Sequence, residues 1–141
     1  MSNKIWEFTG ETKIHIGTTL NRIRAAVEFK LKCGIVIVKG ELGGWIEKES
    51  NLSGNAWVYG NARVSGNARV KSSKDYCVYK NTWSSLRWFT YTKSNKMWLV
   101  GCFYGTGAEL IAKAYKDSKK SGKCYEAIVK AQEEIEKVMD V

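Results

Sequence analysis

Residues Gly54–Lys71 read GNAWVY GNARVS GNARVK, three consecutive units of six in which Gly, Asn, Ala and Val return to the same places. Val58, Val64 and Val70 stand six apart, as do Ala56, Ala62 and Ala68, and the valine phase runs back through Leu52 to Ile46. Strands alternate with a period of two and helices repeat near 3.6, so a strict period of six marks stacked, equivalent turns of chain. One branched apolar and one small inward residue per unit fit one side of a triangular left-handed β-helix. The aliphatic residue fills the core, alanine sits where space is tight, and Gly-Asn makes the corner where φ turns positive.

Three such sides make a coil of about eighteen residues, so Ile46–Lys71 amounts to fewer than two coils. A repeat stack buries a continuous core only with roughly three units and capped ends. The fragment therefore needs cover, either from its flanking segments or from other copies of the chain. Open ends lead to the expectation of a homo-oligomer, a trimer or a multiple of one.

On the N-terminal side, Trp6 and Phe8, then Ile14 and Ile16, alternate with polar residues and predict short strands punctuated by Gly10 and Gly17. An extended Leu20–Arg24 places Arg22 and Arg24 on the Leu20 face, opposite Ile23. Cys33-Gly34 reads as a turn and Ile35–Val38 as a buried strand, after which residues 39–46 bend into the repeat. On the C-terminal side, Lys71–Asp75 is a polar break. Tyr76–Tyr79 resumes extended character. In the next strand Leu86, Trp88 and Thr90 share one face, and Arg87, Phe89, Tyr91 and Lys93 the other. Ser94-Asn95 turns this strand into a partner over Lys96–Phe103. Thr106, with Glu109 three residues on, opens a helix as a capping box. That helix is read to stop at Ser121-Gly122. Tyr125, Ile128, Val129, Gln132, Ile135 and Met139 then recur at helical spacing. The expected fold is mainly β with C-terminal helices (α+β): antiparallel strands and a short left-handed β-helix over 1–71, then a hairpin and two helices over 76–141, packed as one unit.

Composition narrows the function. The 141 residues carry a net charge of +9, with six Trp and seven Tyr, which favours polyanionic or phosphate-bearing partners. Aromatics in such numbers serve cores, interfaces and base stacking alike. Cys33, Cys77, Cys102 and Cys124 form no C-x-x-C and lie near no histidine, so no metal site is expected, and a chain with unpaired thiols and no signal peptide suits a reducing cytoplasm. No apolar run has the length of a membrane span.

Catalysis finds little support. Hexapeptide β-helix enzymes are mostly acyltransferases, with many coils and a histidine beside the helix. Here the coils are few, and the single histidine, His15, lies outside the repeat and reads as structural or solvent-facing. Neither a Ser-His-Asp set nor a phosphate-binding Walker loop occurs. The binding signals are two. Tyr104-Gly105-Thr106-Gly107, between a strand and a helix start, offers outward N–H groups and close access to an anion. Beside it, Arg87, Phe89, Tyr91 and Lys93 combine stacking rings with phosphate-pairing cations. With Arg22 or Arg24 from a neighbouring strand or subunit, these residues form the expected ligand pocket. The same aromatic face would also suit an interface with another protomer. Arg63 and Arg69, at the phase of Trp57, form an outward ladder that could line an acidic ligand.

The run GELGGWIEKESNLSGNAWVYGNARVSGNARV, Gly40–Val70, resembles that of small bacteriophage and prophage accessory proteins. These carry an N-terminal strand region, an LGGWIE-type lead-in and a variable number of N-A-x-V-x-G repeats. The C-terminal text around Trp98–Ile111 is similar to modules of phage accessory proteins. Within that group the chain resembles the anti-Thoeris and anti-CBASS sponges. The resemblance implies a non-catalytic, oligomeric protein in the cytoplasm of an infected bacterial host, without cofactor. It would sequester a nucleotide-derived immune signal of cyclic nucleotide or cyclic ADP-ribose type. The abbreviated repeat departs from the long versions and speaks against a fibre. Two alternatives stand beside it: a structural or oligomerisation module of a tail-associated protein and, more weakly, a nucleic-acid binder.

Overall fold

The six-residue spacing is realised as burial. Ile46, Leu52, Val58, Val64 and Val70 are each at most 2 % exposed, and Ala56, Ala62 and Ala68 at most 1 %, in a computed structural model that describes residues 4–54 and 56–140. Each aliphatic side chain so buried contributes roughly 1.5–3 kcal/mol. Gly54 and Gly66 turn corners at φ +63 and +64, where glycine alone is unstrained. Asn55, the partner of Gly54 in the expected corner, lies outside the described residues.

The fold is mixed α+β. A hairpin of β1 (Trp6–His15) and β2 (Thr18–Ala25) is followed by a small ribbon, β3 (Phe29–Lys30) and β4 (Val36–Ile37), then by β5 (Leu42–Ile46) and β6 (Arg63–Val64). The first sheet has the order β1-β2-β5-β6, antiparallel except for the parallel pair β5–β6. Ile46 pairs in parallel with Val64 and Leu52 with Val70, each eighteen positions apart. Beyond the polar break, β7 (Tyr76–Lys80), β8 (Trp88–Thr92), β9 (Met97–Val100) and β10 (Phe103–Thr106) form an antiparallel meander. Two helices, α1 (Gly107–Asp117) and α2 (Lys119–Met139), complete the chain.

Each residue of Leu42-Gly43-Gly44-Trp45-Ile46-Glu47 has a separate task. Gly43 and Gly44 lie where the β2–β5 register slips, Arg22 facing Trp45 but Arg24 facing Leu42. A Cβ on Gly43 would fall 2.7 Å from the Val58 carbonyl oxygen, and one on Gly44 2.6 Å from that of Ala62. The repeat passes so close beneath that no side chain fits. Ile46 enters the core, and the Glu47 carboxylate accepts the Gly66 N–H at 2.7 Å. Asn51, with no exposed surface, accepts from the N–H groups of Glu47 and Lys48 and donates to the carbonyls of Gly66 and Ala68.

The ends of the repeat are covered within one chain. Trp6, Ile23, Ala25, Leu31 and Ile37 from the N-terminal strands share its core, as do Tyr76 and the partly buried Val78 from β7. Flanking segments of the same chain thus complete the core of the repeat. Trp57, expected on an outward ladder with Arg63, is 1 % exposed because the β3–β4 ribbon folds over it, Phe29 edge-on at 5.8 Å. Of the expected buried strand Ile35–Val38, only Ile37 turns inward; its three neighbours are about half exposed.

The second sheet uses both faces. Val78 and Thr90 face the repeat, where Thr90 accepts the Arg63 N–H at 3.1 Å and Ser94 the Arg69 N–H at 2.8 Å. Phe89, Tyr91, Trp98 and Val100 face α1 and α2 and pack with Leu110 and Val129. Thr106 and Glu109 form the expected capping box. The first helix ends at Asp117 rather than Ser121-Gly122, because Ser118 closes α1 and also caps α2 by accepting the Ser121 N–H. Gly122 sits inside α2, where it admits the Tyr115 ring. The acidic end of α2 is offset by Lys93 on Asp140 at 2.6 Å and Lys96 on Glu136 at 3.3 Å.

Asn51→Ala, which strands several buried backbone groups, should cost about 3 kcal/mol or more in urea unfolding. Gly44→Ala should lose about 3 kcal/mol, the upper part of the usual range for overpacking, because its Cβ would meet backbone oxygens. Gly60→Ala, whose Cβ would meet nothing nearer than 3.9 Å, should unfold like the parent. Equal behaviour of the two glycine variants would overturn the close-passage account.

Candidate functional site

The structure divides the predicted pocket residues among several environments. Phe89 is completely buried and Tyr91 nearly so, because α1 and α2 cover the face they share. A ligand cannot stack on Phe89 without displacing the helices. Lys93 is paired with Asp140 and Arg24 with Glu7 at 2.7 Å. Two of the N–H groups at the helix start are taken internally, since Glu109 accepts the Thr106 N–H at 2.9 Å and Thr106 accepts that of Glu109. Both glycines answer to packing: a Cβ on Gly105 would strike the Phe103 ring, and one on Gly107 the Val129 side chain. Tyr104 faces the repeat, its hydroxyl accepting from Asn95. Tyr91, Thr106 and Gly107 do border a cleft of about 350 Å³, but Glu133 and Glu136 line it too, so an anion is disfavoured there. Burial and the neighbouring carboxylates raise the Tyr91 hydroxyl pKa well above its ordinary value.

Arg87 belongs to a different place, and Arg22 lies beside it. Between the repeat and the opposite side of the second sheet opens a cleft of about 310 Å³, lined by Lys13, Trp45, Gly60, Asn61, Arg63, Arg87, Trp88 and Gly101. Its floor follows from strand register. Arg22 stands opposite Trp45, and Trp45 opposite Arg63, so three neighbouring strands set a cation, an indole and a cation in one row. Lys13 reaches over from β1, its Nζ 4.1 Å from the Trp45 ring centroid, while the Arg22 guanidinium is 5.6 Å away. From the other wall come Trp88, with the Lys80 Nζ at 5.0 Å, and Arg87, whose side chain lies on Gly101. Gly101, at φ +53, turns β9 into β10, and the His15 Nε2–H donates to its carbonyl oxygen. His15 therefore joins the first sheet to the second at the rim of the cleft.

The cleft is strongly electropositive. Among the described residues Lys13, Arg63 and Arg87 form no ion pair, and Arg22 is only loosely paired with Glu11 at 3.4 Å. Burial lowers the Lys13 pKa, as do the Arg63 and Arg22 charges, with Glu11 opposing. Burial also lowers that of Arg63, which stays charged, with Cys102 opposing. His15 is lowered first by burial and then by Arg63 and Lys13, against the bond to Gly101. The Arg63 guanidinium is thus half-buried with no counter-charge, an arrangement that is costly to folding.

Of the residues lining this cleft the sequence singles out Arg87 as a pocket residue and Arg63 as part of a ladder, but not Lys13, Trp45 or Trp88; Arg22 lies beside the lining, its guanidinium near the Trp45 ring. The signal was present in Trp88 and Thr90 sharing the face that the helices do not cover. Among the described residues no group of three or more His, Cys, Asp or Glu could hold a metal, and no helix is long and apolar enough to cross a membrane. Compared with family models, curated proteins and solved structures, the chain matches none.

His15 generates a pH test. Its folded-state pKa lies below the unfolded 6.5, so the unfolded chain takes up the proton first on acidification. Stability is therefore complete above pH 6.5 and falls as pH drops towards the folded value. In urea unfolding the parent should lose more stability between pH 7.5 and pH 5 than His15→Gln does. Parallel losses would exclude a linking role for His15.

Proposed function

We propose that this chain is a non-catalytic binding protein that sequesters a nucleotide-derived signalling molecule, of cyclic nucleotide or cyclic ADP-ribose type. It would act as a phage anti-defence protein in the cytoplasm of an infected bacterial host. The observation that supports this most is the meeting of two indoles with Lys13, Arg63 and Arg87 in one cleft. Rings stack on bases in a sequence-tolerant way, and guanidinium groups pair with phosphate oxygens. The lining carries no carboxylate to move a proton, and His15 is spent on the Gly101 carbonyl, which favours holding a ligand over transforming it.

We also read Ile46–Lys71 as the left-handed β-helix that its period suggests. The eighteen-residue parallel offset equals three sides of six, and the positive-φ glycines stand where corners are due. On that reading the repeat serves to carry Trp45 and Arg63 side by side on successive coils. The structural alternative draws on Ile35, Val36 and Val38, exposed on the β3–β4 ribbon, as a surface for self-association. Light scattering on the parent and on Val36→Asp separates that role from ligand capture.

The decisive experiment is incubation with a panel of nucleotide-derived signals, followed by heat denaturation and recovery. A sequestering protein returns the ligand intact, an enzyme returns product, and a structural module returns nothing. Trp88→Ala and Arg63→Ala should each weaken binding by about one to two decades at a nearly unchanged thermal midpoint. Phe89→Ala, by contrast, should cost about 3–5 kcal/mol of stability through the cavity it leaves. Unaltered affinity in both cleft variants would move the site elsewhere.

A further inference from the structure

We infer that the ligand of this cleft is a single nucleoside bearing two adjacent phosphates, a diphosphate unit gripped by Lys13, Arg63 and Arg87 with its base on Trp88. This rests on the cleft being a nucleotide site and specifies which nucleotides it takes. The three cations arrive from separate elements, β1, β6 and the loop before β8, and converge on one opening. None has a carboxylate partner among the described residues. Arg22 adds part of a fourth charge, offset by Glu11.

A phosphodiester carries one negative charge, which would leave most of this positive charge uncompensated in a partly desolvated place. A diphosphate carries two or more, on oxygens spread widely enough for several donors at once. The half-buried Arg63 suits bidentate pairing with one phosphate. Lys13, a compact charge on a flexible stem, suits the other. Burial first, and then the Arg63 and Arg22 charges, lower the pKa of Lys13, and the repulsive part of that is relieved when such a group enters.

The two indoles are not equivalent. Trp45 is buried, and Lys13 already lies over its ring at 4.1 Å, so that end of the cleft presents charge. Trp88 carries the Lys80 Nζ at the longer distance of 5.0 Å and is only partly buried, so the ring on the opposite wall is the one on which a base can stack. The volume, about 310 Å³, is at the small end for ligand sites and takes one nucleoside rather than two.

The test is a titration of the full chain, followed by tryptophan fluorescence at constant salt, with ADP, 3′,5′-cyclic AMP, adenosine and inorganic pyrophosphate. ADP should bind at least about ten-fold tighter than cyclic AMP, adenosine more weakly still, and pyrophosphate should displace ADP. Lys13→Gln and Arg63→Ala should each reduce the preference for ADP over cyclic AMP towards unity. Lys13 is exposed, so its variant keeps the test valid should Arg63→Ala fold poorly. Equal affinity for ADP and cyclic AMP, or no displacement by pyrophosphate, would overturn the diphosphate assignment and leave the nucleotide reading standing. No binding of any probe by the folded chain would overturn both.

Discussion

The structure depends on covering both ends of a column of aliphatic side chains too short to bury itself. Ile46, Leu52, Val58, Val64 and Val70 fill that column, and a repeat of this size leaves its terminal layers open unless something packs on them. Side chains of the N-terminal strands and of β7 in the second sheet complete its core. Both sets of contacts demand close approach. Gly43 and Gly44 permit it on one side, and the Thr90 and Ser94 hydroxyls take the N–H groups of Arg63 and Arg69 on the other. Asn51 and Glu47 satisfy the polar groups that the corners leave behind.

That arrangement settles where a ligand can go. The second sheet is packed on both faces, on the repeat by one and on the helices by the other, so its aromatic residues are mostly committed to cores. An opening remains where the first sheet, the repeat and the β9–β10 turn meet without filling the corner between them. The residues there are long cations and indoles, which combine an apolar body with a polar or charged tip. Ligand capture would bridge the two sheets that His15 already joins.

The charge distribution follows the same division. The acidic end of α2 is answered by Lys93 and Lys96 from the hairpin turn, and the N-terminal strands answer Arg24 with Glu7. These pairs lie at the surface and contribute little to stability. The cations of the cleft have no such answer. Lys13 and Arg87 are exposed, but Arg63 is half-buried without a counter-charge, which is costly, and the fold tolerates it at this corner.

Much of the architecture could be read from residues alone, because a period of six and a helical period both express which side chains must be buried together. The inward phase of the repeat, the Thr106–Glu109 cap, the two helices and the face shared by Phe89 and Tyr91 all follow from local spacing. Spacing tells which residues share a face but not what lies against it. That is why Phe89 and Tyr91, read as a pocket, lie buried beneath the helices, and why Gly105 and Gly107, read as an anion site, stand where neighbouring side chains leave little room for a Cβ. Lys13, Trp45, Arg63 and Trp88 stand far apart in the chain, on four strands. Only the register of β2, β5 and β6 and the docking of the second sheet bring them to one cleft. Local periodicity thus determined the elements and their inward faces, and the tertiary packing of those faces decided which of the remaining side chains meet.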